Sequence, residues 1–106
     1  RLEQLIEAGP VFVNFTASWC ITCKVNEITA LGTRNVLEAF ELRGITYLVA
    51  DWSDEDPKIT KALEDYGRAG VPLYLLFEKG SSTPTVLPQI LTEDIVLNAL
   101  DKIGAP

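Results

Sequence analysis

Apolar and polar positions along the chain change period several times, and each change marks an element. Residues Leu2 to Ala8 predict the end of a short helix, closed by Gly9-Pro10. The next stretch, VFVNFTA at 11–17, is an almost unbroken apolar run of strand type. Such a run suits a central strand covered on both faces. A helix is predicted from about Cys20 toward Leu31, with Gly32 as its break. In TRNVLEAFELRG, Val36, Leu37 and Phe40 recur at helical spacing and Gly44 is the C-terminal stop. ITYLVAD at 45–51 is the second strand. Asp56 as N-cap and Pro57 at the first helical position then open a helix whose Ile59, Leu63 and Tyr66 face the core. A third strand starts after Pro72 and EKGSSTPT makes a turn. VLPQI at 86–90 is a short fourth strand, and Pro88 makes it an edge. A helix capped by Thr92, with Ile95, Leu97 and Leu100 apolar, runs to Gly104.

This order predicts an α/β fold. A helical crossover joins strands 11–17 and 45–51, so they should lie parallel. A tight turn joins the last two strands, so they should pair antiparallel. The expected architecture is one mixed, mostly four-stranded sheet with helices on both faces. Strand 73–78 should run antiparallel to strand 11–17, which brings Pro72 beside the end of the latter.

Composition narrows the function. The 106 residues fit a single domain spanning 1–106, and 47% hydrophobic with 23% charged residues suits a soluble globular chain. The chain begins at Arg1 without a signal-peptide pattern, and a domain cut from a longer membrane protein is expected. A net charge of −6, with nine basic residues that do not cluster, argues against nucleic acid. Histidine is absent, which removes the commonest metal ligand.

The chemistry is carried by FTASWCITCKVNE at 15–27, which holds the only two cysteines. They admit three readings: a metal clip, a structural disulfide or a working redox pair. One Cys pair without histidine falls short of the four ligands zinc prefers. So short a loop removes little unfolded-state entropy, so a purely structural disulfide gains little. The redox reading has a geometric basis. Cys20 falls at the carboxyl end of a strand where a helix starts, and the partial positive charge there favours a thiolate. Cys23, one turn in, is sheltered. An exposed thiol that attacks and a sheltered one that resolves are what thiol–disulfide exchange requires. No metal or cofactor is implied.

WCITCK after an apolar strand resembles the WCxxCK signature of the thioredoxin superfamily, and Gly70-Val71-Pro72 is similar to that family's Gly-hydrophobic-Pro element, whose proline is cis. The resemblance runs over essentially the whole chain and lacks only the family's first strand. FTASWCITCKVNE more closely resembles the C-terminal thioredoxin-like domain of DsbD-family transmembrane thiol:disulfide interchange proteins, in which a glutamate follows the second cysteine by four residues. Glu27 holds that place. The resemblance implies an extracytoplasmic, periplasmic-side domain tethered to the inner membrane in its parent. Such a domain takes electrons from a membrane-embedded donor and passes them to another thiol protein, in work of the kind that serves cytochrome c biogenesis. Its partners would be protein thiols and disulfides, and the isolated domain would be a monomer.

Other residues take their expected roles from this frame. Trp19 should shield the disulfide and contact partners, and the Val71 backbone next to Pro72 should pair with an extended substrate segment. Lys24 adds positive potential or is simply an exposed helical lysine. Trp52 is mostly packing. Asn14 departs from the thioredoxins, which carry a buried aspartate six residues before the first cysteine. An amide cannot take a proton, so Glu27, four residues from Cys23 on one helix face, is the expected acceptor of the Cys23 proton. Ile21-Thr22 supplies no cation between the cysteines, which predicts an electron donor rather than an oxidant. Two rivals stand beside this relay: a stand-alone thioredoxin-like reductase, and a thioredoxin-scaffold binding module without turnover.

Overall fold

A computed structural model describes residues 2–103. The elements run α1 (Leu2–Ala8), β1 (Val11–Thr16), α2 (Ile21–Asn26), a π-helical segment (Glu27–Leu31), α3 (Arg34–Leu42), β2 (Thr46–Asp51), α4 (Pro57–Asp65), β3 (Leu73–Phe77), β4 (Thr85–Val86) and α5 (Glu93–Lys102). The sheet order is β2-β1-β3-β4. β1 pairs parallel with β2, Asn14 opposite Val49, and antiparallel with β3, Asn14 opposite Tyr74. This is the mixed four-stranded sheet the pattern predicts.

Alternation along β1 builds two cores. Phe12 joins Val36 and Phe40 of α3, Tyr74 and Leu76 of β3, and Val96 and Leu100 of α5 on one face. Val11, Val13 and Phe15 join Ile6 of α1, Leu63 of α4 and Leu73 and Leu75 of β3 on the other. Among the predicted helix positions, Leu63 is buried, Ile59 and Tyr66 pack at the margin of that second core, and Leu37 lies half exposed. Asp56 accepts from the Lys58 N–H and Thr92 from the Ile95 N–H, as their cap positions require.

Two expectations need correction. The fourth strand is only Thr85–Val86, not 86–90. Leu87 still donates its N–H to the Tyr74 carbonyl, but Pro88 has none to offer and pairing stops. The helix after the cysteines is not uniform, because its second half is a π-helical turn. Gly32 closes that turn for a specific reason: a Cβ there would sit 2.6 Å from the Glu27 carbonyl oxygen. Helix α5 ends at Lys102, and the predicted stop at Gly104 lies outside the described residues. No helix among the described residues is long and apolar enough to cross a membrane.

Candidate active site

The carboxyl end of β1 runs directly into the cysteine pair. Cys20 turns the chain with its N–H on the Ala17 carbonyl at 3.1 Å and then caps α2. Cys20 and Cys23 are joined in a disulfide. The Cys23 backbone N–H donates to Cys20 Sγ at 3.2 Å. The same N–H is placed to stabilise a thiolate on Cys20 once the bond is reduced.

Cys23 is fully buried and Cys20 retains 8% exposure, with Ala17 and Val71 packed around them. The expectation of an exposed Cys20 beside a sheltered Cys23 is corrected: in the disulfide both are buried, Cys20 only slightly less than Cys23. Cys20 is bonded inward to Cys23, and Val71 leans on the pair.

Trp19 and Pro72 flank this cluster. Trp19 is half exposed, and its indole N–H donates to the Ser53 carbonyl at 3.0 Å. Its ring lies 5.8 Å from that of Trp52, tilted by 55°. Trp52 is buried and donates to Thr60 Oγ1 at 2.7 Å. It also backs Gly70, where a Cβ would meet the Trp52 ring at 3.3 Å. Trp52 is therefore packing, as expected, and it shapes the site by seating both Trp19 and the segment before Val71. The Val71–Pro72 bond is cis, and the Pro72 carbonyl accepts from Arg68 Nη1 at 3.3 Å. Lys24 is exposed, and its charge acts on Asp51 at the end of β2. Hydrogen bonds from Ser53 are the main cause holding the Asp51 carboxyl below its ordinary range.

A second cluster lies one turn further on, where α2 passes into the π-helical segment at Glu27. The Glu27 backbone N–H bonds back to the Cys23 carbonyl. Its carboxylate reaches across to β1, where Oε2 accepts from Thr16 Oγ1 at 2.8 Å and from Asn14 Nδ2 at 3.2 Å. Asn14 is 1% exposed, and its Nδ2 also donates to the Tyr47 hydroxyl at 2.8 Å. Burial, with the nearby Glu27 charge, pushes the Tyr47 hydroxyl up. Burial pushes Tyr74 up to about 12. Asn14, Thr16, Glu27 and Tyr47 line one end of a cavity of about 590 Å³, whose other walls include Leu31, Phe40 and Val49.

The structure thus brings Asn14 and Glu27 together, and Cys20, Cys23 and Val71 together. Thr16, Tyr47 and Asn26 were not singled out from sequence. Thr16 was findable, since Asn14 and Thr16 are two apart on one strand and share a face. Asn26, three residues after Cys23, was visible as a polar residue on an otherwise inward face. It is 2% exposed, donates to the Tyr74 hydroxyl and the Gln89 carbonyl, and accepts from the Leu91 N–H.

A family model described as thioredoxin-like matches residues 4–79. The thiol:disulfide interchange protein DsbD of Campylobacter jejuni is 22% identical over 98 residues, covering 91% of this chain. The chain spans only 17% of that relative's length. Among solved structures, the reduced C-terminal domain of Neisseria meningitidis DsbD superposes with a TM-score of 0.73 at 21% identity, covering 97% of this chain and 94% of that one. A Thermus thermophilus thioredoxin gives 0.74 at 17% identity, covering 94% and 78%.

Proposed function

The chain belongs to the thioredoxin-like family and, with its Cys20–Cys23 disulfide, is a thiol–disulfide oxidoreductase domain; from that premise we propose that it relays electrons from a membrane-embedded donor to an extracytoplasmic thiol protein. One observation carries the redox part: the two cysteines close a disulfide at the end of β1, Cys23 wholly buried and Cys20 nearly so. The relay, the periplasmic setting and the larger membrane protein around residues 1–106 rest on the likeness to DsbD.

In the forward direction Cys20, as thiolate, attacks one sulfur of a partner disulfide. A mixed disulfide forms, and the partner's other sulfur leaves as a thiolate. Cys23 then loses its proton and attacks Cys20 Sγ. The intramolecular disulfide forms, the partner's second sulfur leaves, and two electrons have passed to the partner. Glu27 takes the Cys23 proton, a role supported by its place on the next turn. Trp19 and Val71 form the rim a partner meets, with Pro72 buried next to Val71. Val71 pairs with an extended segment of the partner, and Lys24 adds positive potential at the mouth.

Replacing Cys23 tests the division of labour. Cys23→Ser should accumulate partner as a mixed disulfide on Cys20, whereas Cys20→Ser should trap nothing. The reverse pattern would exchange the two roles.

A further inference from the structure

Both donors that reach the Glu27 carboxylate land on the same oxygen. Thr16 Oγ1 and Asn14 Nδ2 each bond to Oε2, at 2.8 and 3.2 Å. In this orientation the Asn14 Nδ2 faces the Glu27 carboxylate, and its Oδ1 is buried without a partner among the described residues. Its Nδ2 also serves the Tyr47 hydroxyl, and turning the amide over would point its oxygen at a carboxylate. The shorter bond comes from Thr16, whose hydroxyl must give its single proton to Oε2 because a carboxylate can only accept. An oxygen that already takes two hydrogen bonds is the poorer proton acceptor of the two. The pinned carboxylate therefore cannot turn freely at the start of the π-helical segment, and its chemistry falls to Oε1.

We propose that Thr16 is a positioning residue: with Asn14 it fixes Glu27 Oε2 and leaves Oε1 as the atom that receives the Cys23 proton. The inference rests on the reading of Glu27 as proton acceptor. In the step concerned, the Cys23 S–H proton passes to Oε1 as Cys23 Sγ bonds Cys20 Sγ. The S–S bond from Cys20 to the partner breaks, and the partner sulfur leaves with the electron pair. The cavity bordered by Thr16, Glu27 and Tyr47 reaches the surface at the exposed Val49 and Glu41, and gives the proton a way out. The titratable groups around this carboxylate are Tyr47 of β2, Tyr74 of β3, Glu41 of α3 across the cavity, and Cys23 on its own helix. Both tyrosines are pushed up, so neither titrates between pH 5 and 9.

The test uses reduced protein and saturating glutathione disulfide in stopped flow, where the plateau rate is the resolving step, recorded from pH 5 to 9. Four variants are compared: Thr16→Val, which keeps shape and β-branching; Thr16→Ser, which keeps the hydroxyl; Glu27→Gln; and Thr16→Val with Glu27→Gln. Thr16→Val should slow the plateau about three- to tenfold, as expected for one lost charge-assisted hydrogen bond. It should alter the same limb of the pH profile as Glu27→Gln. Thr16→Ser should restore both rate and profile, and Thr16→Val should add nothing once Glu27 is Gln. If Glu27→Gln matches the parent in rate and profile, the proton-acceptor reading fails and this inference with it. If Glu27→Gln is slow while Thr16→Val matches the parent, or Thr16→Ser is as slow as Thr16→Val, only the inference fails. Should Thr16→Val not fold, Thr16→Ala takes its place under the same expectations.

Discussion

At the scale of the residue, the departure of Asn14 from the thioredoxin aspartate becomes intelligible beside Glu27. The two side chains are 3.2 Å apart, and an amide can donate to a carboxylate where a second carboxylate would repel it. Asn14→Asp would set two carboxyl groups at that distance, and the pair would then hold one proton between them. A carboxyl raised in the folded state contributes stability that is present at low pH and lost as pH rises. Relative to the parent, Asn14→Asp should therefore lose about 1–3 kcal/mol more stability at pH 8 than at pH 5. Urea denaturation at the two pH values measures this, and a pH-independent difference would mean that the side chains do not face one another. That a polar residue sat in β1 was legible in the sequence. Its partners were not, because Glu27 and Tyr47 come from segments 13 and 33 residues away.

At the scale of the element, the π-helical turn joins the cysteine helix to the carboxylate. π-turns recur at functional sites, and this one depends on Gly32. Gly32→Ala would drive a Cβ against the Glu27 carbonyl oxygen, a backbone atom that cannot swing aside. The expected cost is about 1–3 kcal/mol in unfolding free energy, read from the denaturant midpoint. A change within about 0.5 kcal/mol would show that the turn adjusts freely. Local pattern signalled a break at Gly32 but not the π geometry, since that follows from a backbone contact closed only when the turn folds. The parallel crossover, the Asp56 and Thr92 caps and the antiparallel β1–β3 pairing were all legible, because each follows from local chemistry or connection length. β4 is shorter than its apolar pattern implies: Leu87 supplies the last pairing N–H and Pro88 ends the ladder at once.

β3 carries a further consequence. Tyr74 is buried, takes a hydrogen bond from Asn26, and is pushed up to about 12. Its neutral form is thus favoured by folding. That contribution is complete below the unfolded tyrosine value of about 10 and is lost as pH rises through about 12. Stability should decline over that window, and Tyr74→Phe should flatten the decline. Absorbance titration of the phenols should show one hydroxyl ionising near the top of the window. Ionisation of all three tyrosines near pH 10 in the folded protein would contradict it.

At the scale of the whole molecule, the two cores hold the sheet from both faces, and its β1 end carries the disulfide. The fold and the cysteine pair were readable in sequence because WCITCK and Gly70-Val71-Pro72 lie at strand ends that β1–β3 pairing brings together. Thr16 is signalled by its place two residues from Asn14 on β1, whereas the part of Tyr47 depends on the assembly of β1 with β2. In the proposed relay the cysteine pair gives electrons. No histidine exists in the chain, and Ile21 beside Cys20 is apolar and exposed, so little beyond the helix start and Lys24 favours the Cys20 thiolate. The most direct test is the equilibrium of the Cys20/Cys23 pair against glutathione buffers of graded ratio. A pair that donates electrons should show a reduction potential of about −200 to −280 mV, on the thioredoxin side of the scale. A value near about −120 mV, where strongly oxidising CxxC proteins lie, would contradict the electron-donor reading.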